Sequence, residues 1–348
     1  MSPSDKPYLS WSQLKTWERC ERQYEARYLE RLPSMRPPGG ALVGGAAVHA
    51  AIEASEAQGL WWHEDAAKDD SDLARVYLEL LTAEIDRQGG EGEIQWGGRK
   101  TKEFPEGENR LWWERHGLVM LRRQVHLRRT WAAQGWDWHP GGSEMRLFTK
   151  LPSGRALQVV IDQFLYTDNG APALIDYKTG QIGRDLTEGG ERQLAAYAWA
   201  LEGSEAVMTL LGGEPIDRAA FVYLRATDMD KAVQVVDLRP IKPLIPGFFA
   251  ALESVVESRQ PGSFPMRPGQ HCGWCSYRPW CQWGQILEAR EASDPSAGGP
   301  TGESPSEAVA VSSSITRREA IAPAPGLSHQ SGADLVPVQA GSREEGRP

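Results

Sequence analysis

Two short apolar runs near the middle of the chain each lead into an acidic residue. The run at 157–161 precedes Asp162, and the run at 174–175 precedes Asp176. Apolar runs of this kind predict buried β-strands, in which residues i and i+2 point to the same face. We therefore expect Asp176 and Lys178 to share one face, with Asp162 supplied by a second strand. Two carboxylates beside a lysine suit a hard divalent cation and a phosphodiester.

The remaining sequence alternates helical and strand patterns. Apolar residues at helical spacing predict helices over 10–32, 46–58, 72–87, 111–131, 191–202 and 245–258. Alternating or continuous apolar residues predict strands over 144–151, 155–166, 172–178, 219–225 and 232–238. A Pro-Ser-Gly turn at 152–154 predicts that the first two strands form a hairpin. This order predicts an α/β fold with a central mixed sheet flanked by helices.

Composition limits the expected location and the kind of surface. No apolar run approaches the ~20 residues needed to span a bilayer, and the first seven residues are polar, so we expect a cytoplasmic protein with no membrane contact. The net charge of −9 argues against broad polyanion binding and allows only a local basic surface. The arginines of 111–131 are one candidate phosphate track, with a solvated charged face as the alternative.

The composition changes near residue 291. From there to 348 the chain is rich in Ser, Gly, Pro, Ala and Glu, a composition typical of disorder. We therefore expect one folded domain over 1–290 and a disordered tail over 291–348.

Several polar residues occupy positions that predict a shared site. His49 and Glu53 are four apart on a predicted helix, hence on one face, and Gln193 and Tyr197 are four apart on another. Glu144 begins a predicted strand and is a further candidate.

The order of these polar residues along the chain resembles that of the PD-(D/E)XK nuclease superfamily in its RecB-like branch. This branch includes CRISPR-associated exonucleases and the nuclease domains of recombination helicases. The similarity covers roughly residues 9–283. Its N-terminal part matches the family's Ser-x-Ser-x-Leu, Cys and Tyr pattern at 10–24, with Glu21 where proline often follows the cysteine. The remaining matches are Gly45-x₃-His49-x₃-Glu53, Asp162, Asp176-x-Lys178-Thr179-Gly180 and Gln193-x₃-Tyr197.

The resemblance implies a restriction-endonuclease-like core and a role for each matched residue. His49, Asp162 and Asp176 would bind Mg²⁺ or Mn²⁺, together with the backbone carbonyl of Tyr177. Lys178 would orient or deprotonate the attacking water.

Three further residues would support this centre. Gln193 and Tyr197 would hold the scissile phosphate or the strand around it. Glu53 would support the His49 helix as an outer partner of the metal site.

The four cysteines form a separate signal. Cys272, Cys275 and Cys281 are closely spaced, and their natural fourth partner is the distant Cys20. Four thiolates suit either structural zinc or a [4Fe–4S] cluster. The family resemblance implies the iron–sulfur cluster, which would join the N-terminal and C-terminal segments around the core.

These features lead to an expected function. We expect a metal-dependent exonuclease that acts on single-stranded DNA ends in recombination, repair or CRISPR-like processing. The family resemblance favours the 5′ to 3′ direction. The chain has no Walker motif, so any helicase activity would come from a partner. The alternative is a non-catalytic DNA-binding or assembly module, and the intact set of Asp162, Asp176 and Lys178 favours the enzyme.

Overall fold

The computed structural model describes residues 8–60, 66–182 and 189–293. The strands are β1 (Tyr8–Ser10), β2 (Asp137–Lys150), β3 (Ala156–Tyr166), β4 (Pro172–Lys178), β5 (Arg218–Tyr223) and β6 (Val233–Asp237). The helices are α1 (Trp11–Arg19), α2 (Glu21–Tyr24), α3 (Gly40–Gln58), α4 (Ala66–Arg87), α5 (Arg110–Ala133), α6 (Gly190–Glu202), α7 (Glu205–Leu210), α8 (Met229–Ala232), α9 (Ile245–Ser258) and α10 (Gln282–Ser293).

All the strands of the described chain belong to one mixed sheet. Strand β3 lies at its centre and pairs antiparallel with β2 along one edge. Its other edge is shared by β1, which is parallel, and β4, which is antiparallel. Strand β5 adds to β4 in parallel and β6 adds to β5 antiparallel. The predicted hairpin and mixed sheet are confirmed.

Helices cover both faces of this sheet. On one face, α1, α6 and α9 pack through buried residues such as Leu14, Leu194 and Phe249. On the other face, α3, α4 and α5 pack around Trp113 and Tyr77. Strand β4 is buried on both sides, which explains its continuous apolar pattern. The predicted α/β architecture with flanking helices is therefore confirmed.

The predicted helix over 10–32 is wrong in one respect, because the chain breaks at Cys20. Helix α1 ends at Arg19, and Cys20 has an extended backbone with φ −162°. The amide of Arg22 then donates to the carbonyl of Pro265. A tertiary hydrogen bond to the C-terminal loop thus replaces a hydrogen bond within the helix. This tertiary contact overrides the local helix propensity.

Helix α3 begins earlier than the predicted position 46, at Gly40. A Cβ atom at Gly44 would lie 2.0 Å from the ring of Trp113. The glycine-rich start of this helix lets α3 pack closely on α5.

Two further predictions concern membrane-spanning helices and the C-terminal tail. No helix in the described ranges has the length and apolar character required to cross a membrane. The expected disordered tail over 291–348 lies outside the described residues apart from the end of α10.

Candidate active site

Glu144 and Asp162 face each other across the β2–β3 ladder. Their neighbours on either side form the pairs Ser143–Gln163 and Met145–Ile161. Directly opposite residues have Cβ atoms about 4.5–5.5 Å apart, and two like charges there destabilise a sheet. A cation between the two carboxylates would remove this repulsion.

The backbone at Glu144 is also unusual. Its φ is 46°, in the left-handed region that residues with a Cβ rarely adopt. It follows a shift in the β2–β3 register between Trp138 and Ser143. Strain of this kind costs about 1–3 kcal/mol and is concentrated at functional sites, and bulges redirect side chains next to active sites.

His49 completes a group of three potential metal ligands. Its Nδ1 atom lies 3.4 Å from Oε1 of Glu144 and 3.4 Å from Oδ1 of Asp162. One ligand atom from each residue lies within 4.8 Å of the other two. Burial by itself lowers the pKa of His49, but the neighbouring charges of Asp162 and Glu144 outweigh it and hold that pKa well above 6.5. A metal ion would therefore have to displace a proton from the ring.

Close packing of α3 on the end of β4 brings His49 to this position. A Cβ atom at Gly45 would lie 3.0 Å from Oγ1 of Thr179. His49 is four residues, or about one turn, farther along the same helix. Glycine at 45 therefore allows the approach that the site requires.

Asp162 and Asp176 lie where β3 and β4 separate. The ladder between the two strands ends at the pair Gln163–Ile175. Beyond it, the amide of Tyr177 donates to Oδ2 of Asp162 over 2.7 Å. This bond fixes one oxygen of Asp162, while the other faces His49.

Asp176 contacts the basic and amide side chains of the site. Its Oδ2 atom lies 2.6 Å from Nζ of Lys178, and its Oδ1 accepts from Nε2 of Gln193 over 3.5 Å. The same Nε2 atom donates to the hydroxyl of Tyr197 over 2.7 Å. The ammonium of Lys178 also lies 5.1 Å from the centre of the Phe221 ring. Helix α6 thus reaches the carboxylate that β4 supplies.

The carboxyl group of Asp176 is almost completely buried. Burial and, after it, the charge of Asp162 raise its pKa from 3.8 to about 7, against the opposing effect of Lys178. Desolvation and the like charge of Asp162 therefore change the pKa of Asp176 more than its ion pair with Lys178 does. A divalent cation would supply the missing positive charge.

A buried polar network supports β4 from the opposite side. Gln124 on α5 donates to the hydroxyl of Tyr177 over 3.5 Å and to Oε1 of Glu56 over 3.3 Å. Arg128 donates to both oxygens of Glu56 over 3.0–3.2 Å. Sequence inspection missed this network, because nothing local relates positions so far apart.

The remaining arginines of α5 do not form a free phosphate track. Arg110, Arg115 and Arg122 each form an ion pair with an acid, the last with Asp70 at 2.5 Å. Arg123 donates to the carbonyl of Leu224. The alternative prediction, a solvated charged face, fits this helix better, because Arg110, Arg115 and Arg122 are paired with acids of the same protein.

The site opens into a cleft of about 470 Å³. Its lining includes His49, Asp162, Asp176, Tyr177, Lys178, Gln193 and Tyr197. These are the residues that the sequence assigned to the centre. Glu53, by contrast, is exposed and lies outside the lining, and its supporting role stays a prediction.

The four cysteines meet at a second location. Cys20, Cys272, Cys275 and Cys281 line one small cavity of about 30 Å³. All four are free thiols. Burial raises the pKa of the Cys275 thiol, and the three neighbouring cysteines raise it further. The segments that carry Cys20 and the other three cysteines are thus adjacent in the fold.

Comparisons with known proteins identify the family of the chain. No curated protein matches the chain. One similar solved structure, described as "Crystal structure of SSO0001", is 12% identical, covers 76% of this chain and 94% of that chain, and has a TM-score of 0.31. The family model described as "PD-(D/E)XK nuclease superfamily" matches residues 8–282. The chain belongs to the PD-(D/E)XK nuclease superfamily.

Proposed function

We propose that the protein is a metal-dependent exonuclease that hydrolyses phosphodiester bonds at single-stranded DNA ends, preferentially from 5′ to 3′. One observation carries the proposal. The ligand atoms of His49, Glu144 and Asp162 converge within 4.8 Å, and the Asp176–Lys178 ion pair lines the same cleft. Family membership supports nuclease chemistry, and the end specificity and polarity are our extension.

The donor set suits Mg²⁺ or Mn²⁺. His49, Asp162 and Asp176 would hold the ion with the backbone carbonyl of Tyr177, and the position of Glu144 adds it to this set. Carboxylate and carbonyl oxygens are the donors that hard cations prefer, while an imidazole shifts the preference toward Mn²⁺. When bound, the ion would polarise the phosphodiester and lower the pKa of a bound water.

Three side chains have roles of their own. Lys178 is positioned by Asp176 to orient the attacking water and to offset negative charge on the phosphate. Gln193 and Tyr197, which are hydrogen-bonded to each other, would hold the scissile phosphate from α6. The contact between Gln193 and Asp176 links substrate positioning to the carboxylate.

We also assign a [4Fe–4S] cluster to the four cysteines. All four are free thiols that line one cavity. Four thiolates suit either structural zinc or a [4Fe–4S] cluster. The family resemblance favours the iron–sulfur cluster. The cluster would join the N-terminal segment to the C-terminal loop.

The expected setting is recombination, repair or CRISPR-like DNA processing. A nuclease that requires free single strands needs another activity to separate the duplex. A helicase is therefore the class of partner that would supply its substrate.

Digestion of end-labelled DNA tests this function. Single-stranded and duplex oligonucleotides labelled at the 5′ or the 3′ end are incubated with Mg²⁺ or Mn²⁺. We expect release of short labelled products from the 5′-labelled single strand at the earliest times, while the 3′-labelled strand shortens gradually. A circular single strand should resist digestion.

Two results would contradict the proposal. Rapid cutting of the circular strand would show an endonuclease. DNA binding without cleavage under every metal condition would support the non-catalytic binding or assembly module.

A further inference from the structure

Two segments far apart in the sequence contain no acidic residue. The first covers 31–52 and the second covers 258–287. The chain has 47 acids in 348 residues, so stretches of these lengths would on average contain about three and about four. In a protein of net charge −9, this local depletion is unusual.

The structure brings parts of these segments together. The amide of Met35 donates to the carbonyl of Ser276 over 3.0 Å, and the guanidinium of Arg36 donates to the carbonyl of Gly273. Residues 31–38 therefore pack beside the loop that carries the cysteines. We call residues 31–38 together with 266–286 the acid-free surface.

Large apolar side chains are exposed on this surface. Trp274 is 46% exposed, Trp280 is 40% exposed and Met35 is 55% exposed. Both tryptophans directly precede a cysteine in the sequence, so the packing around the cysteines holds their backbone in place. Exposed indole rings are suited to stacking on unpaired bases.

The acids that approach this surface are already paired. Glu21 is buried and contacts Arg259 and Arg267 at 3.1 and 2.7 Å. Glu25 is buried and contacts Arg22 at 2.6 Å. A phosphate backbone would thus meet little uncompensated negative charge here.

The acid-free surface is continuous with the helix that carries a candidate metal ligand. Helix α3 begins at Gly40, directly after residues 31–38, and His49 lies about 14 Å farther along its axis. A strand that keeps the stacking of B-DNA, with a rise of about 3.4 Å per nucleotide, would cover this distance in about four nucleotides.

The surface has exposed tryptophan rings, contains no acidic residue and is continuous with α3. We therefore propose that the acid-free surface binds the unpaired DNA strand by base stacking on Trp274 and Trp280. The inference rests on the proposed function for its DNA substrate. It adds a binding surface outside the cleft and gives the cysteine loop a part in substrate recognition.

Fluorescence anisotropy with a labelled thymidine oligonucleotide tests the surface. Divalent cations are omitted, so that binding is measured without cleavage. Met35→Glu is compared with Leu244→Glu, because Leu244 is also 55% exposed and lies at the opposite end of α9 from the cysteine loop. Both variants change the charge equally. We expect Met35→Glu to weaken single-strand binding several-fold and Leu244→Glu to leave it unchanged.

Trp274→Ala isolates the stacking contribution. We expect it to weaken single-strand binding about tenfold, with much smaller loss for a duplex, whose bases are not free to stack. Trp274→Phe should keep most of the affinity. If Trp274→Ala fails to fold, the comparison of Met35→Glu with Leu244→Glu still tests the binding surface.

The outcomes separate this inference from the nuclease proposal. Equal binding by Met35→Glu and Leu244→Glu, or equal loss of single-strand and duplex binding in Trp274→Ala, would overturn the surface even if the wild type cleaves DNA. A wild type that binds single strands through these residues but never cleaves them would keep the surface and overturn the nuclease.

Discussion

The ammonium group of Lys178 lies 2.6 Å from Oδ2 of Asp176, two residues earlier on the same strand. Their pairing fixes the direction of the lysine side chain toward the cleft. It also leaves Asp162, Glu144 and His49 as a separate group with two acids and one raised-pKa imidazole. The site therefore places an ammonium group paired with one carboxylate beside a group of two further carboxylates and an imidazole.

The position of Glu144 predicts that it contributes to cation binding. Glu144→Gln removes one negative charge opposite Asp162, and we expect Mn²⁺ affinity to fall about 10- to 100-fold. Isothermal titration calorimetry measures the change. The control is Glu93→Gln, an exposed position outside the cleft. Unchanged affinity in Glu144→Gln would exclude the residue from the metal site.

The buried carboxyl of Asp176 predicts a pH dependence of stability in the metal-free protein. Its pKa is raised from 3.8 to about 7, so the folded state holds this proton more tightly than the unfolded chain does. The resulting stability is present in full below about pH 4 and is lost as the pH rises to about 7. The raised pKa of His49 acts in the same direction at higher pH.

Thermal melting across this range, without divalent cations, measures the effect. The melting temperature of Asp176→Asn should fall less with rising pH than that of the wild type. Parallel curves for the two proteins would show that Asp176 ionises normally.

The network behind β4 predicts a large cost for breaking a buried ion pair. Arg128→Ala leaves Glu56 buried without its main partner, and we expect a loss of about 3–5 kcal/mol in the free energy of unfolding. Chemical denaturation measures it. Arg75→Ala breaks an exposed pair with Glu79 and should cost at most about 1 kcal/mol. Similar losses of unfolding free energy in both variants would show that the network stabilises the fold no more than an exposed ion pair does.

The cysteine cavity predicts an iron–sulfur protein. Protein purified without oxygen should contain iron and acid-labile sulfide in equal amounts, and Cys281→Ser should lose both and melt at a lower temperature. A wild type that contains zinc in their place would contradict the cluster.

Sequence patterns predicted five of the six strands in the described sheet, because each of the five carries its own signal. Strand β1 is only three residues long and was not predicted. Strand β4 is a continuous apolar run, and the turn at 152–154 fixes the hairpin. That turn also sets the register of the two strands. Lys150 pairs with Ala156, and counting back along this register places Glu144 opposite Asp162.

Other features depend on tertiary contacts that local sequence does not encode. The break at Cys20 arises because the C-terminal loop, more than 240 residues away, takes the hydrogen bond of Arg22. The link between Gln124 and Tyr177 likewise needs α5 to lie behind β4. Periodicity identifies α3, α4, α5, α6 and α9, but it does not specify which helix faces which strand.

We propose that Lys178 acts in a metal-dependent cleavage site. The most direct measurement compares the cleavage rate of single-stranded DNA by the wild type, Lys178→Ala and Lys100→Ala, with Mn²⁺ and with the metal removed, alongside DNA binding by each. Lys100 is exposed and lies outside the cleft. We predict metal-dependent cleavage by the wild type and Lys100→Ala, and a loss of about 10²–10⁴-fold in Lys178→Ala with DNA binding retained. Equal cleavage by all three proteins, or none by the wild type, would contradict the account.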